Sequence, residues 1–280
     1  MRKKNIFSID TEDWFQVGYG SETITRSHWS SMTHKIDAMV ESTLELLESR
    51  NVLATFFVVG WLAEKHPNLI RKIAENGHEV ASHGYWHSEV FRQSPAEFSE
   101  DIKRAKACLE DAAGEEVYGY RAPGYSIGRR EEWALDLLLN VGYRYDSSLL
   151  HASRLFGQLE NGLYEVAPNA LNILGRYFPC NGGFIFRILP YFLYKQYVRY
   201  LRLCEKPLVF YVHTWEIFHD YPRMEMPFVK NFIQYANLEG VIDKLDHLLC
   251  DFEFTSIAEA YPMMKDAGAL QTPLEHLGAS

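Results

Sequence analysis

Apolar and polar positions along this chain change period in a regular order. Residues 5–10, Asn5-Ile6-Phe7-Ser8-Ile9-Asp10, are a short apolar run that ends in charge and predicts a buried strand. Between residues 35 and 50, Ile36, Met39, Val40, Leu44 and Leu47 recur at the helical period. Residues 52–59 are almost continuously apolar, the pattern of a parallel strand covered on both faces. Pro67 opens a helix that Gly77 stops, and residues 78–82 predict the next strand. Ser94-Pro95-Ala96-Glu97 joins an N-cap serine, a proline at the first helical position and a glutamate at the third, so a helix runs from there to about residue 113, before Gly114. Strands follow at 117–120, 143–145, 208–212 and 252–257, with helices at 130–141, 190–206, 230–250 and from 257 to Pro262. Residues 150–190 have no period; Asn181-Gly182-Gly183 reads as a tight turn. Strands that alternate with helices predict a parallel sheet, closed or open.

Length and charge narrow the picture. A chain of 280 residues makes one large domain or two small ones; we expect a single domain over 1–262, an irregular insertion at about 150–206 and a tail at 263–280. The net charge of −9 argues against nucleic acid as a partner, because phosphate binding needs a basic footprint. Cys108, Cys180, Cys204 and Cys250 are widely spaced and contain no C-x-x-C, which fits a reducing compartment. The basic Met1-Arg2-Lys3-Lys4 precedes too short an apolar run for a secretion signal, so a cytoplasmic protein is expected. Lys195, Arg199, Arg202 and Lys206 form one basic stripe on a helix rich in Tyr, Phe and Leu. A solvated face is the plain reading; the sharper one is peripheral contact with the inner face of a membrane or with a phosphate-bearing substrate.

The candidate chemistry lies just after the strands. Asp10-Thr11-Glu12-Asp13 puts three carboxylates in four positions, costly if buried together unless a metal or an arginine relieves them. His83 and His87 would share a face if the chain turns helically there, and two imidazoles on one face can hold a divalent metal. Each feature alone has a bland alternative: a solvated acidic turn, or one exposed and one core histidine. Arg121-Ala122-Pro123-Gly124-Tyr125, Asp146-Ser147-Ser148 and His213 complete the set of strand ends. In a βα barrel, all of these face one end.

Taken in order, these segments resemble the motifs of the carbohydrate esterase 4 (NodB-homology) polysaccharide deacetylases. The acidic segment is similar to the first motif, His83-x-x-x-His87 to the second and Arg121-x-Pro123 to the third. Asp146-Ser147-Ser148 is a looser match to the fourth, and Val212-His213 to the fifth. The likeness covers roughly residues 5–260. Within the family it is nearest to the exosortase-associated (PEP-CTERM locus) deacetylases, through Asp10-Thr11-Glu12-Asp13-Trp14-Phe15, His213-Thr214-Trp215-Glu216, Glu165-Val166, Gly182-Gly183 and Arg187-x-x-Pro190.

The resemblance implies an α/β fold, a distorted (β/α)7-type barrel, and a metal-dependent hydrolase. Its substrate would be the N-acetyl groups of N-acetylhexosamine units in a bacterial polysaccharide or its precursor. Asp10 would be the general base, Arg121 its partner and His213 the acid for the departing amine. His83, His87 and one carboxylate would hold a divalent metal, zinc foremost, with cobalt or nickel as alternatives. Trp14, Pro123, Tyr125, Asp146 and Trp215 would bind or orient the N-acetylated glycan. The usual first motif has adjacent aspartates, whereas Thr11 follows Asp10 here, so the ligand role passes to Glu12 or Asp13. Strand alternation favours Glu12; a bend after Asp10 would favour Asp13. Two other readings stand beside this one: a non-catalytic carbohydrate-binding or assembly protein of the same fold, and a hydrolase of another amide such as a cyclic ureide.

Overall fold

A computed structural model describes residues 4–17 and 24–266. Its main sheet holds β1 (Asn5–Thr11), β2 (Thr55–Val58), β3 (Glu79–Ser82), β4 (Gly119–Tyr120), β5 (Tyr145–Asp146), β6 (Phe156–Gln158) and β7 (Tyr164–Val166). A hairpin of β8 (Ala170–Ile173) and β9 (Arg176–Pro179) stands apart, and β10 (Val209–His213) and β11 (Phe254–Thr255) return to the sheet. The order is β10-β1-β2-β3-β4-β5-β7-β6, and β11 pairs with the start of β1. Within this sheet only β6 runs antiparallel to its neighbour.

The sheet curls into an open half-barrel. Strand alternation sorts its side chains into two layers. Phe7, Ile9, Phe56, Val80, Phe210 and Val212 point outward into the main core, against helices. Ile6, Phe57, Ala81, Tyr145, Val166 and Val209 fill the concave side. The outer layer is built from α1 (Ile36–Ser49), α2 (Gly60–Lys65), α3 (Pro67–Glu75), α4 (Pro95–Ala113) and α5 (Trp133–Val141). From the second half come α6 (Gly183–Ile188), α7 (Tyr191–Leu203), α8 (Thr214–Ile217), α9 (Phe228–Tyr235), α10 (Val241–Asp251) and α11 (Ile257–Ala260). The five apolar positions that set the period of α1 are all buried. Helix α4 starts with the full capping box and ends at Gly114 in the left-handed conformation.

Several elements differ from the expectation. Strands β4 and β5 are two residues each, and α2 follows the apolar run at 52–59 directly, where no helix was expected. The helix expected over 230–250 is two helices, because Ala236 leaves the helix in an extended conformation. Residues 150–190 hold four strands and α6. These strands are three or four residues long, too short for a period to show. Asn181 bends the chain, but Gly182 is extended beside β10 and bridges Tyr211 in parallel, and Gly183 opens α6. A Cβ at Gly182 would lie 1.9 Å from the Tyr211 carbonyl oxygen, so only glycine permits this approach. Nearby, the Asn169 side chain accepts from the Val209 N–H at 2.7 Å and donates to the Pro207 carbonyl at 3.1 Å. These contacts tie the open edge to β10 where no ladder closes it. The tail expected from residue 263 starts as a helical turn, Met263–Asp266, and the rest lies outside the described residues.

Of the four basic residues expected on one helix face, Lys206 lies beyond the end of α7 and one is engaged within the protein. Lys195 pairs with Asp251 at 2.6 Å, joining α7 to α10, while Arg199, Arg202 and Lys206 are exposed. Arg202 and Lys206 line a groove with Lys4, Asn5 and Pro207, at the N-terminal ends of β1 and β10. Among the described residues no helix is long and apolar enough to cross a membrane.

Candidate active site

At the opposite, C-terminal end of the sheet, Glu12, His83 and His87 converge, their ligand atoms within 4.8 Å of one another. Each is brought there differently. Alternation continued one residue past β1 sends Glu12 to the concave side, the side of Asp10. His83 directly follows β3, and its Nδ1 lies 2.8 Å from the Arg121 carbonyl oxygen. A carbonyl only accepts, so Nδ1 carries the proton and Nε2 keeps a free lone pair. The segment after His83 is not helical, contrary to the expectation. Gly84 and His87 both take positive φ, 72° and 50°, and this tight loop brings the two rings to 4.9 Å between centroids. The Asp101 carboxylate pins the loop by accepting from the Tyr85 and Trp86 N–H groups at 2.7 and 3.0 Å. A Cβ at Gly84 would come within 2.9 Å of that carboxylate.

The donor set fits a divalent metal. Glu12 Oε2 lies 2.6 Å from His87 Nε2, yet this buried oxygen makes no hydrogen bond. Burial alone would raise the Glu12 carboxyl, but His87, His213 and His83 outweigh it and hold it down at about 2. Burial pushes His83 down to about 4, so its imidazole is neutral at pH 7, the form a metal requires. Two nitrogens and a carboxylate oxygen are a common zinc set that leaves a fourth position open.

Asp13 lies outside this group. The chain bends after Glu12 and carries Asp13 to the start of α1, where its carboxylate accepts from the Trp14, Lys35 and Ile36 N–H groups at 2.9 to 3.2 Å. It holds a helix entry, not the metal cluster. Asp13→Ala would strand these buried donors, and thermal or urea unfolding should show a loss of about 2 kcal/mol or more.

Asp10 and His213 are register partners on adjacent strands, on the concave side next to Glu12. Arg121, fully buried, donates to Asp10 Oδ1 at 2.8 Å, to Ser8 Oγ at 2.9 Å and to Ser147 Oγ at 3.0 Å. Its guanidinium lies 3.9 Å from the Phe57 ring centroid. Asp146 does not reach the cleft. It is wholly buried beneath it, accepting from both N–H and Oγ–H of Ser148, whose oxygen in turn accepts from the Ala122 N–H. Asp146 thus braces the Arg121–Ala122 backbone. Burial raises Asp146 to about 6 and, together with Asp146, pushes neighbouring Glu165 well above the ordinary range.

The aromatic candidates divide. Trp14 is buried, donates Nε1–H to the Thr33 carbonyl at 3.0 Å and lies parallel to Tyr221, leaving no face for a sugar. Trp215 is also buried; it donates Nε1–H to Glu12 Oε1 at 2.8 Å and stacks on His213 with centroids 4.8 Å apart. It orients a ligand carboxylate instead of a sugar. Trp215→Phe keeps the stack and loses the donor, and zinc affinity, measured by chelator competition, should fall about 10–100-fold. Pro123 is buried in the turn after Arg121, and Tyr125 follows it half-buried with φ 53°, its ring edge-on to Tyr211 at 5.4 Å.

Two residues quoted above only for their likeness to relatives are structurally central. Glu216 Oε2 accepts from the His213 ring Nδ1–H at 2.8 Å, and Oε1 accepts from Arg187 Nε at 2.5 Å. Burial disfavours a charged His213, but Glu216, with Glu12 and Asp10, outweighs it and raises the imidazole to about 9. The signal available in the chain was the spacing, a Glu three residues past the position that opens a helix. Ser8 and Ser147, which hold Arg121, carried no such mark.

Comparison with known proteins finds similarity to sugar deacetylases. Residues 30–145 match the family model described as polysaccharide deacetylase, and residues 148–262 match a domain of unknown function, DUF3473. A chitooligosaccharide deacetylase of Bradyrhizobium is 33% identical over 95 residues, 34% of this chain and 41% of that protein. A peptidoglycan-N-acetylglucosamine deacetylase of Bacillus cereus is 33% identical over 94 residues, 33% of this chain and 34% of that protein. The chain therefore spans well under half the length of these curated relatives. Among solved structures, a provisionally named polysaccharide deacetylase from Mycobacterium smegmatis superposes with a TM-score of 0.65 at 19% identity, over 99% of this chain and 95% of that one. Puue allantoinase superposes with a TM-score of 0.62 at 16% identity, over 95% and 91%. The first half of this chain is thus similar to the polysaccharide deacetylases, and the whole chain shares their fold.

Proposed function

We propose that this protein is a metal-dependent N-deacetylase acting on N-acetylhexosamine units of a bacterial polysaccharide or its precursor. The observation that carries this reading is the placement of Asp10 and His213 on adjacent strands beside the Glu12–His83–His87 cluster. Amide hydrolysis needs a base for water and an acid for the leaving amine, one near each side of the reacting carbon. A divalent cation on Glu12, His83 and His87, zinc foremost, would supply positive charge to activate water and polarise the acetyl carbonyl.

The chain's own residues do the rest. Asp10, held by Arg121, takes one proton from water as the oxygen bonds to the acetyl carbon. His213 gives one proton to the sugar nitrogen as the carbon–nitrogen bond breaks, so acetate and a free amine result. Arg121, locked by Ser8, Ser147 and Asp10, keeps the base ionised and aimed. Names of the relatives support an N-acetylated sugar over a cyclic ureide. The segments Asp10–Phe15 and His213–Glu216 support placement in the exosortase-associated branch.

The direct test is acetate release from N-acetylglucosamine oligomers by metal-stripped protein, before and after addition of Zn²⁺ or Co²⁺, with allantoin as the competing substrate. Metal-dependent acetate release is the expected result. Opening of allantoin alone would shift the reading to a ureide hydrolase. Sugar binding with neither reaction would point to a binding protein.

A further inference from the structure

We infer that Arg187 and Glu216 are a buried positioning pair that fixes His213 as proton donor to the leaving amine, which gives residues 148–262, whose matching family model is a domain of unknown function, a part in catalysis. The inference rests on the N-deacetylase reading. Its geometry stands independently.

Glu216 is fully buried and uses both oxygens. Oε2 accepts from the His213 Nδ1–H at 2.8 Å and from the His213 backbone N–H at 2.9 Å, while Oε1 accepts from Arg187 Nε at 2.5 Å. Donation through Nδ1 selects the tautomer and leaves Nε2 facing the cleft, 3.9 Å from Glu12 Oε1. Stacking of Trp215 on the imidazole, at an interplanar angle of 20°, restrains its rotation. Arg187 is itself immobilised. Its remaining N–H groups donate to the carbonyls of Ile233 and Ala236 at 2.6 Å and Gln234 at 3.2 Å, at the C-terminal end of α9.

A lysine would give a single flexible charge here; the planar fork of arginine meets α8 and α9 at once from α6. A pair kept only for stability has no need of this form, since apolar residues of equal volume serve a buried position as well or better. The orientation of the pair on His213 is what an apolar replacement would lose.

The test separates positioning from support. An amine leaves only with a proton, whereas 4-nitrophenolate leaves from 4-nitrophenyl acetate without one. Glu216→Gln should therefore lower kcat on N-acetylglucosamine oligomers by about 100-fold or more, with ester hydrolysis down by less than about threefold and zinc binding kept. Arg187→Lys should fall between this variant and wild type. Because Glu216→Gln strands a buried Arg187, the paired change Arg187→Met with Glu216→Gln is measured beside it and should show the same selective loss. Equal loss on amide and ester, or loss on neither, overturns the inference. If wild type releases no acetate from any N-acetylated sugar, the functional reading fails on its own. The pair is then judged by NMR of the His213 ring: an exchange-protected Nδ1–H in wild type that disappears in the paired variant upholds the positioning, and its absence in wild type overturns it.

Discussion

Replacing Asp10 by asparagine is expected to cut kcat for acetate release by about 10²–10⁴-fold while zinc binding persists. The amide is isosteric with the carboxylate and can still accept from Arg121, so the strand and the ligand cluster should hold. What it cannot do is take a proton at neutral pH. Since Asp10 is not one of the three converging ligands, metal affinity serves as the control. The stability cost should be visible too, because Arg121 is fully buried and would lose the one carboxylate it pairs with among the described residues. Acetate release and zinc titration on the same preparation would check this. A wild-type rate in the variant would assign the base elsewhere.

Loss of the metal should be as visible in stability as in activity. Zinc binds the folded cluster and not the dispersed ligands of the unfolded chain. At a hundredfold excess over Kd it should add about 2.7 kcal/mol, which for a chain of this size is roughly 5 °C in Tm. His87→Ala removes one of three ligands, and the zinc-dependent rise in Tm should shrink or vanish with it. Differential scanning calorimetry of stripped and loaded protein reads this without any substrate. An undiminished rise in the variant would place the metal somewhere other than Glu12, His83 and His87.

The sequence made long amphipathic elements legible and short ones not. Helices α1 and α4 run from the cap and period signals that predict them, because burial of one face and satisfaction of the first N–H groups are local demands. Strands of two to four residues in the second half left no period to read, and their pairing comes from partners far along the chain. The same division holds at the candidate site. The residue types at strand ends were visible, and alternation distinguished Glu12 from Asp13. The joining of His83 and His87 came from two left-handed residues, not from a helical turn, and Trp215 went to a carboxylate because it is buried. Such choices depend on what packs above the residue.

Strand β1 has a consequence for how this protein can diverge. Ser8, Asp10 and Glu12 face the cleft side while Phe7 and Ile9 face the helices, so the site is written in the strand's even positions. Adding or deleting a single residue in that strand would exchange the two sets, turning carboxylates into the helix layer and apolar side chains into the cleft. Point changes at Thr11 alter neither set. Within a lineage, then, the count of residues from Ser8 to Glu12 is the inherited quantity, and length variation should be confined to the loops on either side.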